Sequence, residues 1–187
     1  MKIALVGTHN CGKTTLWNLM KQDSWFNDYT FVSEQIRVVN DMGFGINETA
    51  GDVTQLVLAL ENQYYTQLHS HYNCQMVLDR CLLDNYIYAL YLTKKHIVSP
   101  GVLAVIKRAW DRTLVDLNYV FWLRPEFEME NDGQRSTDDQ FQKDIDLMFE
   151  KFITQDKYYN NVFYELKGQS KDRLVQLKKI VGGWDRY

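Results

Sequence analysis

The sequence is poor in the features that mark linkers, secreted scaffolds and membrane spans. Only two prolines, Pro100 and Pro125, occur in 187 residues. There is no low-complexity stretch and no internal repeat, so an array and a Pro-rich linker are both excluded. Three cysteines, Cys11, Cys74 and Cys81, cannot all pair and lack metal-ligand spacing. They read as reduced thiols of a cytoplasmic protein. No apolar run approaches membrane-spanning length. No signal peptide precedes the first apolar run, so no membrane partner is expected. Charge of one sign is also scarce: the net is −3 with a pI near 5.8 and no basic tail. Composition gives no support for strong nucleic-acid binding, though a local patch stays open. What remains is ordinary: 45% hydrophobic and 24% charged residues. That suits a single domain, residues 1–187, large enough for a real core.

The first fifteen residues, MKIALVGTHNCGKTT, carry the strongest signal. An apolar run, Ile3 to Val6, meets Gly7-Thr8-His9-Asn10-Cys11-Gly12-Lys13-Thr14, with Thr15 next. The pattern is G-x-x-x-x-G-K-[ST], a phosphate-binding loop, and Leu16, Trp17, Leu19 and Met20 follow at helical spacing. Gly7 and Gly12 let the backbone turn tightly and bring its N–H groups to an anion. A helix starting near Lys13 points its positive end at the same anion. Lys13 is the candidate for the β and γ phosphates, and the Thr14 hydroxyl for Mg²⁺. The expected ligand is a nucleoside triphosphate, with ATP as the leading donor. Cys11 reads as a small residue that fits the loop. A low-pKa thiol is its functional alternative.

Strand-like runs recur at Ile3–Val6, Tyr29–Ser33, Gln75–Asp79, Tyr119–Leu123 and Val162–Leu166, with helical patterns between them. Alternation of this kind predicts an α/β domain with a five-stranded parallel sheet covered on both faces by about seven helices. Ligands of such sheets bind at the carboxyl ends of the strands. After the second strand, Ser33 reads as an N-cap and Glu34 to Arg37 as a first helical turn. Glu34 could accept the proton of an attacking hydroxyl and Arg37 could hold an acceptor anion. A plain i,i+3 ion pair explains them equally well. A long helix from about Asp52 to Tyr72 carries the apolar stripe Val53, Leu56, Val57, Leu60 and Tyr64. On it, Gln55, Gln63 and Tyr65 are acceptor-pocket candidates, or surface and core rim.

The third strand ends Met76-Val77-Leu78-Asp79-Arg80. A strand-end aspartate is what a Walker-B position needs to orient Mg²⁺ through its water shell. Arg80 can pair bidentately with phosphate or carboxylate. Asp84, Tyr86 and Tyr88 follow on the next helix. Ser99-Pro100 starts another. After the fourth strand, Arg124-Pro125 opens an acidic stretch leading to Arg135. The whole, about residues 124–137, has the form of a short lid before a helix from about Thr137 to Thr154. Arg135, with Arg124 second, is the candidate to stabilise charge on a transferring phosphoryl group. The alternative is surface pairing with Glu126, Glu128, Glu130 and Asp132. Gly168, after the fifth strand, permits close approach of a flat adenine or simply makes a turn.

Together these motifs resemble the P-loop kinases. The likeness is to the branch of nucleoside and nucleotide kinases, nicotinamide-riboside-kinase domains and the small kinases frequent in bacteriophage genomes. The carrying residues are Gly7 to Thr15, Ser33-Glu34-Gln35-Ile36-Arg37, Asp79-Arg80 and Asp132-Gly133-Gln134-Arg135. The resemblance implies a three-layer P-loop NTPase fold with ATP and Mg²⁺ as cofactors. It implies Glu34 as acceptor-site carboxylate, Asp79-Arg80 at the metal and acceptor centre, and Arg135 on the lid. The implied reaction moves the γ-phosphoryl of ATP to a (deoxy)nucleoside or its monophosphate. Phage kinases that phosphorylate 5-hydroxymethyluracil in DNA look like the same branch, which makes DNA an alternative substrate. A regulatory GTPase is disfavoured: no Asn-Lys-x-Asp motif occurs, and no Asp-x-x-Gly switch follows the third strand. An AAA+ motor would need a longer chain with a helical lid domain. Long helices bearing Tyr64, Tyr65, Tyr86, Tyr88 and Tyr91 could belong to the core or to a homodimer face.

Overall fold

A computed structural model describes residues 1–68, 75–126, 139–155 and 162–183, apart from the side chains of residues 37, 38 and 68. The strands are β1 (Lys2–Val6), β2 (Tyr29–Val32), β3 (Gln75–Asp79), β4 (Tyr119–Leu123) and β5 (Phe163–Leu166). The helices are α1 (Lys13–Gln22), α2 (Ile36–Asp41), α3 (Asp52–Leu68), α4 (Leu82–Lys94), α5 (Pro100–Thr113), α6 (Asp139–Gln155) and α7 (Ser170–Gly182). All five strands are parallel, in the order β2-β3-β1-β4-β5. Parallel neighbours need long crossovers, and the helices supply them.

Strand residues divide between the two faces with the two-residue period of a pleated sheet. Ala4, Val6, Met76, Leu78, Val120 and Trp122 meet α4, α5 and α6 in one core. Ile3, Leu5, Val77, Phe121 and Leu123 meet α1 and α7 in the other. β1, β3 and β4 are therefore apolar almost throughout, as a doubly covered sheet requires. Fully buried Trp110 of α5 and Phe121 of β4 are among the largest core side chains. Each contributes about 2–3 kcal/mol by leaving water. At the start of α5, the Ser99 hydroxyl accepts from the Val102 N–H at 3.4 Å, and Pro100 holds the first turn.

Register sets the site. Leu5 lies level with Asp79, and the Arg80 N–H donates to the Leu5 carbonyl at 3.0 Å. The residues after β3 therefore sit beside the β1–α1 loop. On the far side of β3, Val32 pairs with Leu78, so Glu34 leaves β2 at the same rim.

Two local expectations change. The helix after β2 begins at Ile36, so Glu34 is not in its first turn, and among the described side chains Glu34 pairs with Arg80. The α3 stripe is out of phase. Val53, Leu60 and Tyr64 are exposed, while Thr54, Gln55, Leu58 and Ala59 are buried. The inner face of this helix carries both apolar Leu58 and Ala59 and polar Thr54 and Gln55.

Candidate active site

The β1–α1 loop is shaped by its backbone. Gly7 has φ +140°, and a Cβ there would lie 2.3 Å from the Leu123 carbonyl oxygen. Only glycine lets the loop pass this close to the end of β4. Asn10 and Gly12 are also left-handed, at φ 54° and 89°. That alternation gathers N–H groups into a concave, anion-sized cradle. Gly12 caps α1 and has no side chain to bond the N–H groups of its first turn, which leaves the helix end disposed toward an anion. Lys13 is buried inside the loop. Its Nζ donates to the carbonyls of Gly7 at 2.8 Å and Thr8 at 2.5 Å, and lies 3.3 Å from Cys11 Sγ.

Thr14 and Asp79 meet as the metal reading requires. Thr14 Oγ1 donates to Asp79 Oδ2 at 2.9 Å, while the buried Asp79 Oδ1 has no partner among the described residues. A hydroxyl beside a strand-end carboxylate with one unsatisfied oxygen fits Mg²⁺ and its water shell. Burial, then the nearby Glu34, raises the Asp79 pKa, and Lys13 and Arg80 oppose them.

Arg80 stands between Asp79 and Glu34. It has φ +79°, a left-handed conformation that costs a non-glycine residue about 1 kcal/mol or more and clusters at functional sites. Its Nε donates to Glu34 Oε1 and its Nη1 to Asp84 Oδ1 at 3.3 Å. Burial would lower its pKa, but Glu34, Tyr88, Asp84 and Asp79 more than offset that and hold the guanidinium charged. Asp84 completes a capping box for α4, its Oδ2 accepting from the Cys81 N–H at 3.1 Å. Its Oδ1 also accepts from the Gly7 N–H at 3.3 Å. Burial raises its carboxyl from 3.8 to about 6, against the pull of Arg80 and Lys13.

Beyond Arg80 opens a cleft walled by Gln55, Leu58 and Asn62 of α3 and by Asn85 and Tyr88 of α4. Asn62 donates to Asn85 Oδ1 at 2.5 Å, and buried Gln55 Oε1 has no partner among the described residues. A second hollow of about 270 Å³ lies over the loop and is lined by Asn10 to Thr15. Glu34 and Arg80 line both.

The structure thus brings together Gly7 to Thr15, Glu34, Asp79, Arg80 and Gln55. Gln63 does not line the cleft; its helical neighbour Asn62 does. Asn62 lies seven residues from Gln55, on the same face, and that spacing could have singled it out. Arg124 turns to α6, where its Nη2 donates to Asp146 Oδ2 at 2.7 Å and its Nη1 to Glu150 Oε1 at 3.1 Å. Its guanidinium also lies 5.0 Å from the Trp122 ring, so these contacts hold it away from the cleft. Glu126, one of the acidic residues named in the alternative reading of Arg124, accepts from the Gly168 N–H at 2.7 Å. Gly168 has φ +83°, which its turn requires. Arg135 and most of the stretch read as a lid lie outside the described residues, as does the Arg37 side chain. Arg173 was missed: it is fully buried and touches the phosphate loop. An arginine on a terminal amphipathic helix gives no sequence signal for that.

Fold and loop define a P-loop NTPase domain of the kinase-like, three-layer kind. A family model described as an AAA domain matches residues 2–173, and the chain belongs to that family. The chain is similar to a NadR protein in complex with NR, at 14% identity over 98% of this chain with a TM-score of 0.74. It spans about half of that protein, 51%. It is also similar to a deoxyadenosine kinase from M. mycoides with dCMP and dCDP bound, at 15% identity and a TM-score of 0.71. That match covers 98% of this chain and 100% of the kinase. No curated protein sequence matches. Among the described residues no helix is long and apolar enough to cross a membrane.

Proposed function

We propose that the protein is an ATP-dependent kinase whose acceptor is an uncharged nucleoside. One observation carries this reading: the phosphate-loop hollow and the amide-walled cleft share Glu34 and Arg80 as a common wall. A donor in the first and an acceptor in the second would meet at those two side chains, which is the proximity that phosphoryl transfer needs. The NadR and deoxyadenosine kinase likenesses support the class of reaction.

The roles follow from the chemistry of each group. Lys13 leaves its loop carbonyls and pairs with the β and γ phosphates. Thr14 and Asp79 hold Mg²⁺, which when bound neutralises charge on the phosphate oxygens. Glu34 orients the acceptor hydroxyl and takes its proton, while Arg80 keeps that carboxylate aimed. Gln55, Asn62 and Asn85 offer mixed donors and acceptors to the edge of a planar base, between apolar Leu58 and Tyr88. Arg135 remains the candidate arginine over the transferring group.

Charge selects the nucleoside over its monophosphate. Among the described residues lining the cleft, Glu34 and Asp84 are acidic and Arg80 is the one cation, already engaged by both. A dianionic phosphate would meet carboxylates with no spare partner among the described residues. The test is calorimetric titration of deoxynucleosides, their monophosphates and single-stranded DNA into the protein holding Mg²⁺ and a non-hydrolysable ATP analogue. Nucleoside binding, weakened about tenfold by Gln55→Leu, is expected. Tighter binding of a monophosphate, or binding of DNA alone, contradicts the reading.

A further inference from the structure

Two carbonyl groups of the phosphate loop are held from outside the loop. Gln142 of α6 donates its Nε2 to the His9 carbonyl at 2.8 Å. Arg173 of α7 donates its Nη1 to the Cys11 carbonyl at 2.6 Å. Both side chains are buried, Arg173 completely. They reach the loop from 133 and 162 residues away in sequence.

In a trans peptide plane the carbonyl and the following N–H point in opposite directions, and the described chain has no cis peptide. Holding the His9 carbonyl therefore aims the Asn10 N–H to the other side. Holding the Cys11 carbonyl does the same for the Gly12 N–H. Asn10 and Gly12 are the two left-handed residues of the loop after Gly7, where the chain curls its amides toward an anion. We propose that Gln142 and Arg173 are positioning residues of the donor site, fixing peptides 9–10 and 11–12 so that the Asn10 and Gly12 amides face the phosphates. This rests on the donor-site reading and not on the identity of the acceptor.

The surroundings of each contact keep it in place. The Arg173 fork also donates Nη2 to the Arg124 carbonyl at 3.1 Å and faces Glu126 Oε2 at 3.5 Å. On the Gln142 side, the His9 ring stacks on neighbouring Phe141 at 5.3 Å, and the His9 N–H donates to Tyr88 Oη at 3.0 Å. The contacts of Lys13 with the Gly7 and Thr8 carbonyls differ in kind. Lys13 must give them up to reach a phosphate, whereas Gln142 and Arg173 can keep theirs throughout. A loop whose amides are already aimed loses less entropy on binding.

The experiment is calorimetric titration of Mg²⁺–ATP and of pyrophosphate into the wild type, Gln142→Leu, Arg173→Lys and the double variant. Thermal melts check that each is folded. Lysine keeps the charge of Arg173 but cannot reach two carbonyls with a fork. Each single variant should bind both ligands about five- to tenfold more weakly. The double variant should multiply the two losses, since different peptides are released. Gln140→Leu, on the exposed face of the same helix, should bind as the wild type. In turnover, the KM for ATP should rise while the KM for the acceptor stays constant, a split that general loosening would not produce. Folded Gln142→Leu binding both ligands within twofold of wild type overturns the proposal, and that variant decides alone if Arg173→Lys does not fold. A wild type that binds ATP but phosphorylates nothing removes the kinase reading and leaves this one standing. A wild type that binds neither ATP nor pyrophosphate removes both.

Discussion

Asp84 should make this protein more stable as the pH falls from neutrality. Its carboxyl is raised by burial from 3.8 to about 6. The folded state therefore binds the proton more tightly than the unfolded chain does. The sign follows: stability is lowest above pH 6, rises as Asp84 protonates, and the gain is complete below the unfolded value of 3.8. A shift of about two units corresponds to about 3 kcal/mol as an upper figure. In a domain of this size that is about 6–12 °C in Tm. Asp79 and Asp146 are also raised by burial and act in the same direction, while Asp23, lowered chiefly by Lys178, acts against them. The Asp84→Asn variant separates the contributions. Asparagine keeps an oxygen for the Gly7 N–H and for Arg80 but has no proton to gain. Calorimetric melts in half-unit steps from pH 7.5 to 4.5 should show a rising Tm for the wild type and a much flatter profile for Asp84→Asn. Parallel profiles for the two proteins would refute the reasoning, because they would mean that Asp84 ionises in the fold as it does in water.

Glu34→Gln should lower kcat by about 10²- to 10⁴-fold while the KM for ATP changes by no more than a few fold; steady-state kinetics at saturating acceptor decide it, and a pure ATP-affinity effect would remove Glu34 from the acceptor site. Gly7→Ala combines a left-handed φ with a 2.3 Å approach to the Leu123 carbonyl, so it should cost more than about 3 kcal/mol in denaturant unfolding. Asp79→Asn should raise the Mg²⁺ concentration for half-maximal turnover about tenfold or more, with Mg²⁺-free ATP binding left close to wild type.

The parts legible in the sequence are those where local chemistry and tertiary need coincide. β3 and β4 begin and end where the strand-like runs Gln75–Asp79 and Tyr119–Leu123 do, because the middle of a doubly covered parallel strand is continuously apolar. The loop from Gly7 to Thr14 and the strand-end Asp79-Arg80 are legible because their residue types and spacing follow a local motif. The reading of α3 failed for the opposite reason. Its apolar stripe does not mark the inner face: Leu60 and Tyr64 face solvent and Gln55 faces in. A helix whose inner face mixes Gln55 with Leu58 and Ala59 does not carry a clean apolar stripe, and periodicity alone cannot report which face turns in. Arg124 was a reasonable phosphate ligand by position. Its actual partners, Asp146 and Glu150, lie more than twenty residues on in α6, and no local pattern links them. Gln142 and Arg173 are the extreme case. Each is ordinary in its own helix, and its role exists only once the fold brings it beneath the phosphate loop.

The most direct test of the central claim follows the γ-phosphoryl group of labelled ATP into deoxynucleosides, their monophosphates and DNA, with Lys13→Ala as the inactive control. The account predicts label in a nucleoside and none with folded Lys13→Ala. Label in a monophosphate or in DNA alone, label released only as free phosphate, or normal transfer by Lys13→Ala would each contradict it.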